Sequence, residues 1–402
     1  MPRYLYSAKI DPQKTIQGDI EAESEQEAIN KLTQKGYFPI SVVAESSVLN
    51  KQSTITLRKV SRKDVALFTE QLSNLLDSGV NILNGLKIIS AQSPNKYLKV
   101  VLNDVTNRIK DGNSFSDSLA AHPRVFPEVY SSLIRTGEAS GNLKETVKRL
   151  SCFLEKEEEF KNSLVSSLTY PLFVFAVGVA TVAVLLVFVI PRLVSMFEDM
   201  GQALPLPTLI LINTSSFLRN YWWLILAIIF ILFFSLRRVY RTPQGRFSLD
   251  KTKLKVYLVG PVILKTEISR LSRTLSLLFT SGMPITSSLD ISTSVLENQV
   301  LKKEVKKFID QISGGASFSS VIKTSKYFPD FVVNIISIGE ETGSLGNALM
   351  RIAEVYEKDV DRTLKALTRM LEPVIILVMG LVVGFIVLSM LLPIFQINLI
   401  VR

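Results

Sequence analysis

Residues 61–191 and 264–393 are two copies of one unit, so whatever fold serves the first must serve the second. The clearest shared block is Gly137-Glu138-Ala139-Ser140-Gly141-Asn142-Leu143, which returns 202 positions later as Gly339-Glu340-Glu341-Thr342-Gly343-Ser344-Leu345. At the same offset Phe126-Pro127 meets Phe328-Pro329, Tyr170-Pro171 meets Glu372-Pro373, and Ile190-Pro191 meets Leu392-Pro393. Upstream the offset is 203, pairing Leu75 to Gly79 with Leu278 to Gly282, as one inserted loop residue would produce. Each copy is a soluble part followed by a long apolar stretch, which makes this a tandem architecture.

Charged residues are missing from Asn162 to Pro191, from Asn220 to Leu236 and from Pro373 to Val401. Runs of about 20 apolar residues span a bilayer as helices, and Tyr221, Trp222 and Trp223 suit a membrane–water interface. Residues 1–30 carry no apolar core of signal-peptide type, so no cleaved signal is expected. The net charge of +10 invites a nucleic-acid reading, but its distribution is topological. From Arg237 to Lys255 there are seven basic residues against Asp250 alone, whereas residues 192–219 balance Arg192 and Arg219 with Glu198 and Asp199. Basic residues collect on the cytoplasmic side of membrane helices. The pattern therefore puts the N-terminus and residues 237–370 in the cytoplasm and the C-terminus outside.

The expected organisation is a small α/β module (1–44), a linker (45–60), a cytoplasmic helical domain (61–168), a first span (170–191) and an outer loop (192–219). A second span (220–236), a basic segment with the second helical domain (237–370) and a third span (373–393) follow. The fold class is mainly α: a polytopic membrane protein with two tandem helical bundles of about six helices each and an N-terminal ββαβ module. In that module Tyr4, Tyr6 and Ala8 alternate with Arg3, Leu5 and Ser7, and Ser24 with Glu27 reads as a capping box. Ala28, Ile29 and Leu32 then form a helix face that Gly36 ends. The prolines at 171 and 191, and at 373 and 393, are expected to mark the limits of the spans.

Gly137, Glu138 and Gly141, with Gly339, Glu340 and Gly343, read as a tight interhelix turn whose glycines suit helix C-caps and positive φ. Both turns are candidate partner contacts. Arg237, Arg238, Arg241 and Arg246 are a candidate basic cytoplasmic surface, and Gly380 with Gly384 form a G-x-x-x-G pair that lets membrane helices approach closely. No G-x-x-x-x-G-K-[ST] phosphate loop occurs. With one cysteine, Cys152, and one histidine, His122, the chain can build neither a His/Cys metal cluster nor a Ser-His-Asp triad, and no cofactor is expected. Uncharged spans argue against a transporter. An assembly scaffold fits best, with a ligand-sensing membrane receptor as the alternative.

The tandem layout, the Gly-Glu-x-[Ser/Thr]-Gly-x-Leu turns, Leu168-Thr169-Tyr170-Pro171, Leu371-Glu372-Pro373 and the ending Leu391-Leu392-Pro393-Ile394-Phe395 resemble the F-protein family. These are inner-membrane platform proteins of type II secretion systems and type IV pilus machines, and the ending looks closer to the secretion branch. The family's basic residue eight positions before the first membrane proline is Ser163 here, whereas the second copy has Lys365. The resemblance implies a non-enzymatic homo-oligomeric platform that contacts a hexameric cytoplasmic ATPase, inner-membrane assembly proteins and pilin-like subunits, and no nucleic acid.

Overall fold

The computed structural model describes residues 3–11, 14–22, 25–44, 60–191 and 205–400. Ser24, most of the linker and residues 192–204 lie outside the described residues. Strands β1 (Arg3–Asp11), β2 (Lys14–Glu21) and β3 (Phe38–Ala44) form an antiparallel sheet in the order β2-β1-β3, with helix α1 (Glu25–Gln34) between β2 and β3 in the chain. Among the described residues, Ala8, Ala22, Ala28 and Leu32 are its fully buried side chains. Gly36, at φ +80°, ends α1.

The first repeat contains α2 (Arg62–Asp77), α3 (Ile82–Gln92), α4 (Lys96–Lys110), α5 (Phe115–Ala120), α6 (Glu128–Ala139) and α7 (Leu143–Val184). Between the repeats lie α8 (Leu206–Arg241) and α9 (Pro243–Lys255). The second repeat contains α10 (Val259–Thr280), α11 (Ile285–Thr293), α12 (Gln299–Ser313), α13 (Phe318–Lys323), α14 (Asp330–Glu341) and α15 (Leu345–Ile400). Matching residues start matching helices. Asn95 caps α4 and Asn298 caps α12; Ser114 caps α5 and Ser317 caps α13. Each side-chain oxygen accepts an N–H that the first helical turn leaves unpaired.

Apolar residues at three- and four-residue spacing turn one face of the repeat helices inward. Phe68, Phe126 and Tyr130 stack with ring centroids 5.6 and 5.0 Å apart in the first core, and Phe308 meets Phe328 at 5.5 Å in the second. The two cores are not separate. Leu277, Leu278 and Ile291 belong to the second copy by sequence, yet they pack into the first copy's cluster beside Phe68, Leu133 and Leu150. Arg149 on α7 also donates to the Thr280 carbonyl at 2.8 Å.

The apolar stretches continue the last helix of each repeat. α7, prolonged by a π-helical turn (Leu185–Val189), and α15 are long and apolar enough to cross a membrane. α8 is bent by 40° between Leu206–Leu224 and Leu226–Arg241, and it is a third such helix if both arms make one span. Two expectations change here. Residues 206–219, read as loop, are helical, because Thr208, Leu211 and Ser215 form a buried stripe at helical spacing, with Leu218 partly buried beside it. The stripe covers Leu186 and Ile190 of α7 and Ile386 of α15.

Nor do three of the four prolines start or end helices: Pro171 lies inside α7, and Pro373 and Pro393 inside α15. A proline in a helix lacks the N–H that would reach the carbonyl four residues back. Thr368 Oγ1 of α15 donates at 3.0 Å to the Ser167 carbonyl that Pro171 leaves open. Thr208 Oγ1 of α8 donates at 2.6 Å to the Ser389 carbonyl that Pro393 leaves open. At Pro191 the π turn moves the open carbonyl one residue further back, to Leu186, and Ser215 Oγ of α8 donates to it. At Pro171, Pro191 and Pro393 a neighbouring hydroxyl thus satisfies the freed carbonyl, one of the ways proline is tolerated within a membrane helix.

Candidate partner-contact site

The Gly-Glu turns join α6 to α7 and α14 to α15, and each glycine of the pair has its own task. Gly141 and Gly343 have φ of +70° and +66°. The N–H of Asn142 reaches the Gly137 carbonyl at 2.9 Å and that of Gly141 reaches the Glu138 carbonyl at 3.1 Å, the two bonds of a Schellman ending. Ser344 and Gly343 repeat them at 2.8 and 3.3 Å. Gly137 and Gly339, expected with them at positive φ, are instead buried in the last helical turn. A Cβ on Gly137 would lie 2.5 Å from Thr146 Oγ1, and one on Gly339 2.5 Å from Ala348 Cβ. These two glycines let consecutive helices touch.

The glutamates turn inward. Glu138 accepts from the N–H groups of Phe115 at 2.7 Å and Ser116 at 3.0 Å, so its carboxylate seals the start of α5. Glu340 does the same for α13 through Phe318 at 2.8 Å and Ser319 at 3.0 Å, with a further bond from Ser319 Oγ at 2.5 Å. A negative group at a helix start meets both open N–H groups and the positive end of the dipole. The signal was in the sequence, since Ser114-Phe115-Ser116 and Ser317-Phe318-Ser319 recur with the turns. What the turns leave in solvent is Ser140 and Asn142 in the first copy, and Glu341, Thr342 and Ser344 in the second.

Burial raises the Glu340 pKa, but the bonds from Ser319 and Phe318 outweigh it and hold the carboxyl below its ordinary value of 4.5. A depressed carboxyl pKa stabilises the fold above the unfolded-state value, and that contribution fades as pH falls through the folded-state value. Glu340→Gln is therefore expected to lower stability by about 1–2 kcal/mol at neutral pH. The gap from the unsubstituted protein should close below pH 4.5. Thermal melts of the purified full chain across pH 3–7 check this; a gap that widens on acidification would contradict the cap.

The basic candidates divide. Arg237, Arg238 and Arg241 are exposed at the end of α8. Arg246 is half-buried: it donates to the Glu297 carbonyl at 3.3 Å and lies 5.6 Å from the centre of the Tyr240 ring. Its role is to seat α9. Gly380 and Gly384 have nothing within 4 Å of an added Cβ, whereas Gly178 of α7 sits against Met379 of α15. The close approach of the first and third apolar stretches therefore uses Gly178, and the G-x-x-x-G pair faces away from this chain's other helices. Cys152 is exposed, and His122 Nε2 lies 2.8 Å from Asp104 Oδ2. Among the described residues no group of three or more His, Cys, Asp and Glu is placed to hold a metal.

The repeats share a frame. Arg62–Glu157 in the first copy and Lys265–Asp359 in the second are equivalent ion pairs between the first and last helices. α7 and α15 then meet at equivalent positions: Tyr170 OH donates to Glu372 Oε1 at 3.2 Å. Ser163 and its counterpart Lys365 both donate to Asp361, each at 2.6 Å. The serine standing where the resemblance calls for a base thus reaches the same carboxylate from the other helix.

Two stretches, residues 68–191 and 271–393, each match the family described as type II secretion system (T2SS), protein F. They coincide with the two copies. The chain belongs to the type II secretion system protein F family. Residues 1–43 match that family's N-terminal domain. Relatives span nearly the whole chain. A type IV pilus assembly protein PilC of Thermus thermophilus is 36% identical over 99% of this chain and 98% of its own length. The PilC of Myxococcus xanthus is 34% identical over 98% and 94%. A type II secretion system protein F of Vibrio cholerae is 29% identical over 99% of both. The two pilus proteins exceed the secretion protein in identity, the reverse of what the chain's ending favoured.

Proposed function

We propose that this family member is the inner-membrane platform of a type IV pilus or type II secretion machine. It passes the movement of a cytoplasmic hexameric ATPase to pilin-like subunits as they leave the membrane. The observation that carries the reading is mechanical. Each repeat ends in a helix that runs unbroken from the soluble bundle into an apolar stretch, 42 residues in α7 before its π turn and 56 in α15. A force on the bundle therefore reaches the apolar stretch along one continuous helix, which passes through Pro171 in α7 and Pro373 in α15 without ending. Relatives named for pilus assembly and for secretion support this use.

In this reading α7, α8 and α15 are three spans, the N-terminus and both repeats are cytoplasmic, and the C-terminus is periplasmic. The basic residues from Arg237 to Lys255 support that orientation. The work is non-enzymatic. The exposed parts of the two Gly-Glu turns and the Arg237, Arg238 and Arg241 surface are the contacts we assign to cytoplasmic partners. Gly380 and Gly384 are the face we assign to another membrane helix, a second copy or an assembly partner.

In-cell photo-crosslinking tests the proposal, with the probe at Asn142 or Thr342 and, separately, at Leu381. The expected products are a link from the turns to the hexameric ATPase and from Leu381 to a pilin-like subunit or a second platform chain. An abundant, intact protein that links to neither would sink the reading, and the identity of the linked pilin would assign the branch.

A further inference from the structure

We propose that the turn from Val256 to Val259 is a lipid contact that rests in the headgroup layer of the cytoplasmic leaflet and favours anionic phospholipid. The inference depends on the reading of α15 as a span. Four apolar residues, Val256, Tyr257, Leu258 and Val259, lie in solvent between α9 and α10, and Tyr257 is 90% exposed. Helix connections are ordinarily polar, and a contiguous exposed apolar patch marks an interaction site.

Its height follows from the packing of α10. That helix runs antiparallel to α15: Ser276 Oγ donates to the Gly346 carbonyl, Arg273 pairs with Glu357, and Lys265 pairs with Asp359. Continuing from the Lys265–Asp359 pair at about 1.5 Å per residue brings Tyr257 level with Leu367. That is roughly 5 Å short of Met370 and 9 Å short of Pro373, where exposed apolar side chains take over on α15. A headgroup layer is about 5–7 Å deep on each side of the hydrocarbon, so the turn lies at that layer.

The exposed charge around this level is mainly basic, with Glu372 of α15, bonded to Tyr170 OH, as the exception. Lys251 and Lys255 of α9, Arg369 of α15 and the α8 residues Arg237, Arg238 and Arg241 are all exposed. The one acid of the segment, Asp250, is buried and accepts the Gln299 N–H at 3.1 Å. Aromatic and aliphatic side chains ringed by Lys and Arg are the composition that binds an anionic membrane surface. α9 itself shows no exposed acid, so its surface is complementary to an anionic headgroup layer. The two repeats would then be held to the membrane at one further point, besides the spans α7, α8 and α15.

Tryptophan fluorescence in vesicles decides it. Trp222 and Trp223, the chain's only tryptophans, are replaced by Phe, and a single Trp is introduced into the full-length protein as Tyr257→Trp, Ile338→Trp or Leu381→Trp. Each protein is reconstituted with brominated phospholipid, with or without phosphatidylglycerol. The expected result is that Tyr257→Trp loses about half or more of its emission in anionic vesicles and less in purely zwitterionic ones, while Ile338→Trp is unquenched. Leu381→Trp is quenched in both if α15 spans the membrane. Failure of Leu381→Trp would remove the span itself. Quenching of Leu381→Trp alone would overturn the lipid contact while leaving the span intact. Emission from Tyr257→Trp that ignores lipid and shifts only on adding the machine's ATPase would give the turn to a protein partner and overturn the proposal.

Discussion

Leu278→Ala is expected to lower the stability of the first repeat although the residue belongs to the second. The side chain is fully buried, and its cluster holds Phe68, Leu133 and Leu150 of the first copy. Truncating a buried leucine costs about 2–5 kcal/mol through lost transfer energy and the cavity left behind. A loss near 3 kcal/mol is expected here, because the Arg149 bond to the Thr280 carbonyl keeps α10 in place and prevents the site from collapsing. Hydrogen exchange of the full chain in detergent is the discriminating measurement. Amides of α2 and α6 should lose protection together with those of α10. Loss confined to α10–α14 would mean that the repeats fold independently and that the shared core carries little energy.

The second large effect is expected at the Arg273–Glu357 pair, where the guanidinium makes bonds of 2.7 and 2.5 Å to the carboxylate and Ser269 Oγ adds one at 3.2 Å. The side chains are only 10% and 19% exposed. Removing one partner strands a charge in a poorly hydrated place, which costs about 3–5 kcal/mol. Arg273→Met should therefore be strongly destabilising, and Arg273→Met with Glu357→Leu should regain most of the loss. High salt should change little, since a buried pair is poorly screened. If the double substitution were as unstable as the single, the pair would be contributing stability of its own and this account would fail. No such effect is expected at the matching positions of the first copy, Glu70 and Glu155, which are both exposed acids.

Much of this architecture was legible in the residues. The two copies, their turns at Gly79 and Gly282, and the helix-ending glycines of the Gly-Glu turns rest on local chemistry that a sequence displays directly. Gly79 and Gly282 have φ of +83° and +87°. The rest depended on what each element meets. Pro171 looks like a helix boundary until a neighbour supplies Thr368 to the open carbonyl. Residues 206–219 look like loop because Asn213, Thr214, Ser215 and Ser216 are polar, yet Ser215 is buried precisely where α7 needs a donor, at the Leu186 carbonyl. Glu138 and Glu340 look like surface charges until α5 and α13 fold back over them. Gly380 and Gly384 suit close packing on the first apolar helix or on another helix, and spacing within one helix carries no information about which of these its face meets.

The hydroxyl–carbonyl contacts at Leu186 and Ser389 have an electrical consequence. They fix how α8 sits against α7 and α15 with neutral groups alone, in stretches 162–191, 206–218 and 373–401, which carry no charged side chain. Moving one elementary charge across a membrane potential involves about 2.3 kcal/mol per 100 mV, and these stretches have no such charge to move. A change in membrane voltage therefore does almost no work on their arrangement. With α7, α8 and α15 as the proposed spans, the three helices keep their positions while the voltage rises and falls, and a displacement among them reports mechanical load from the soluble side.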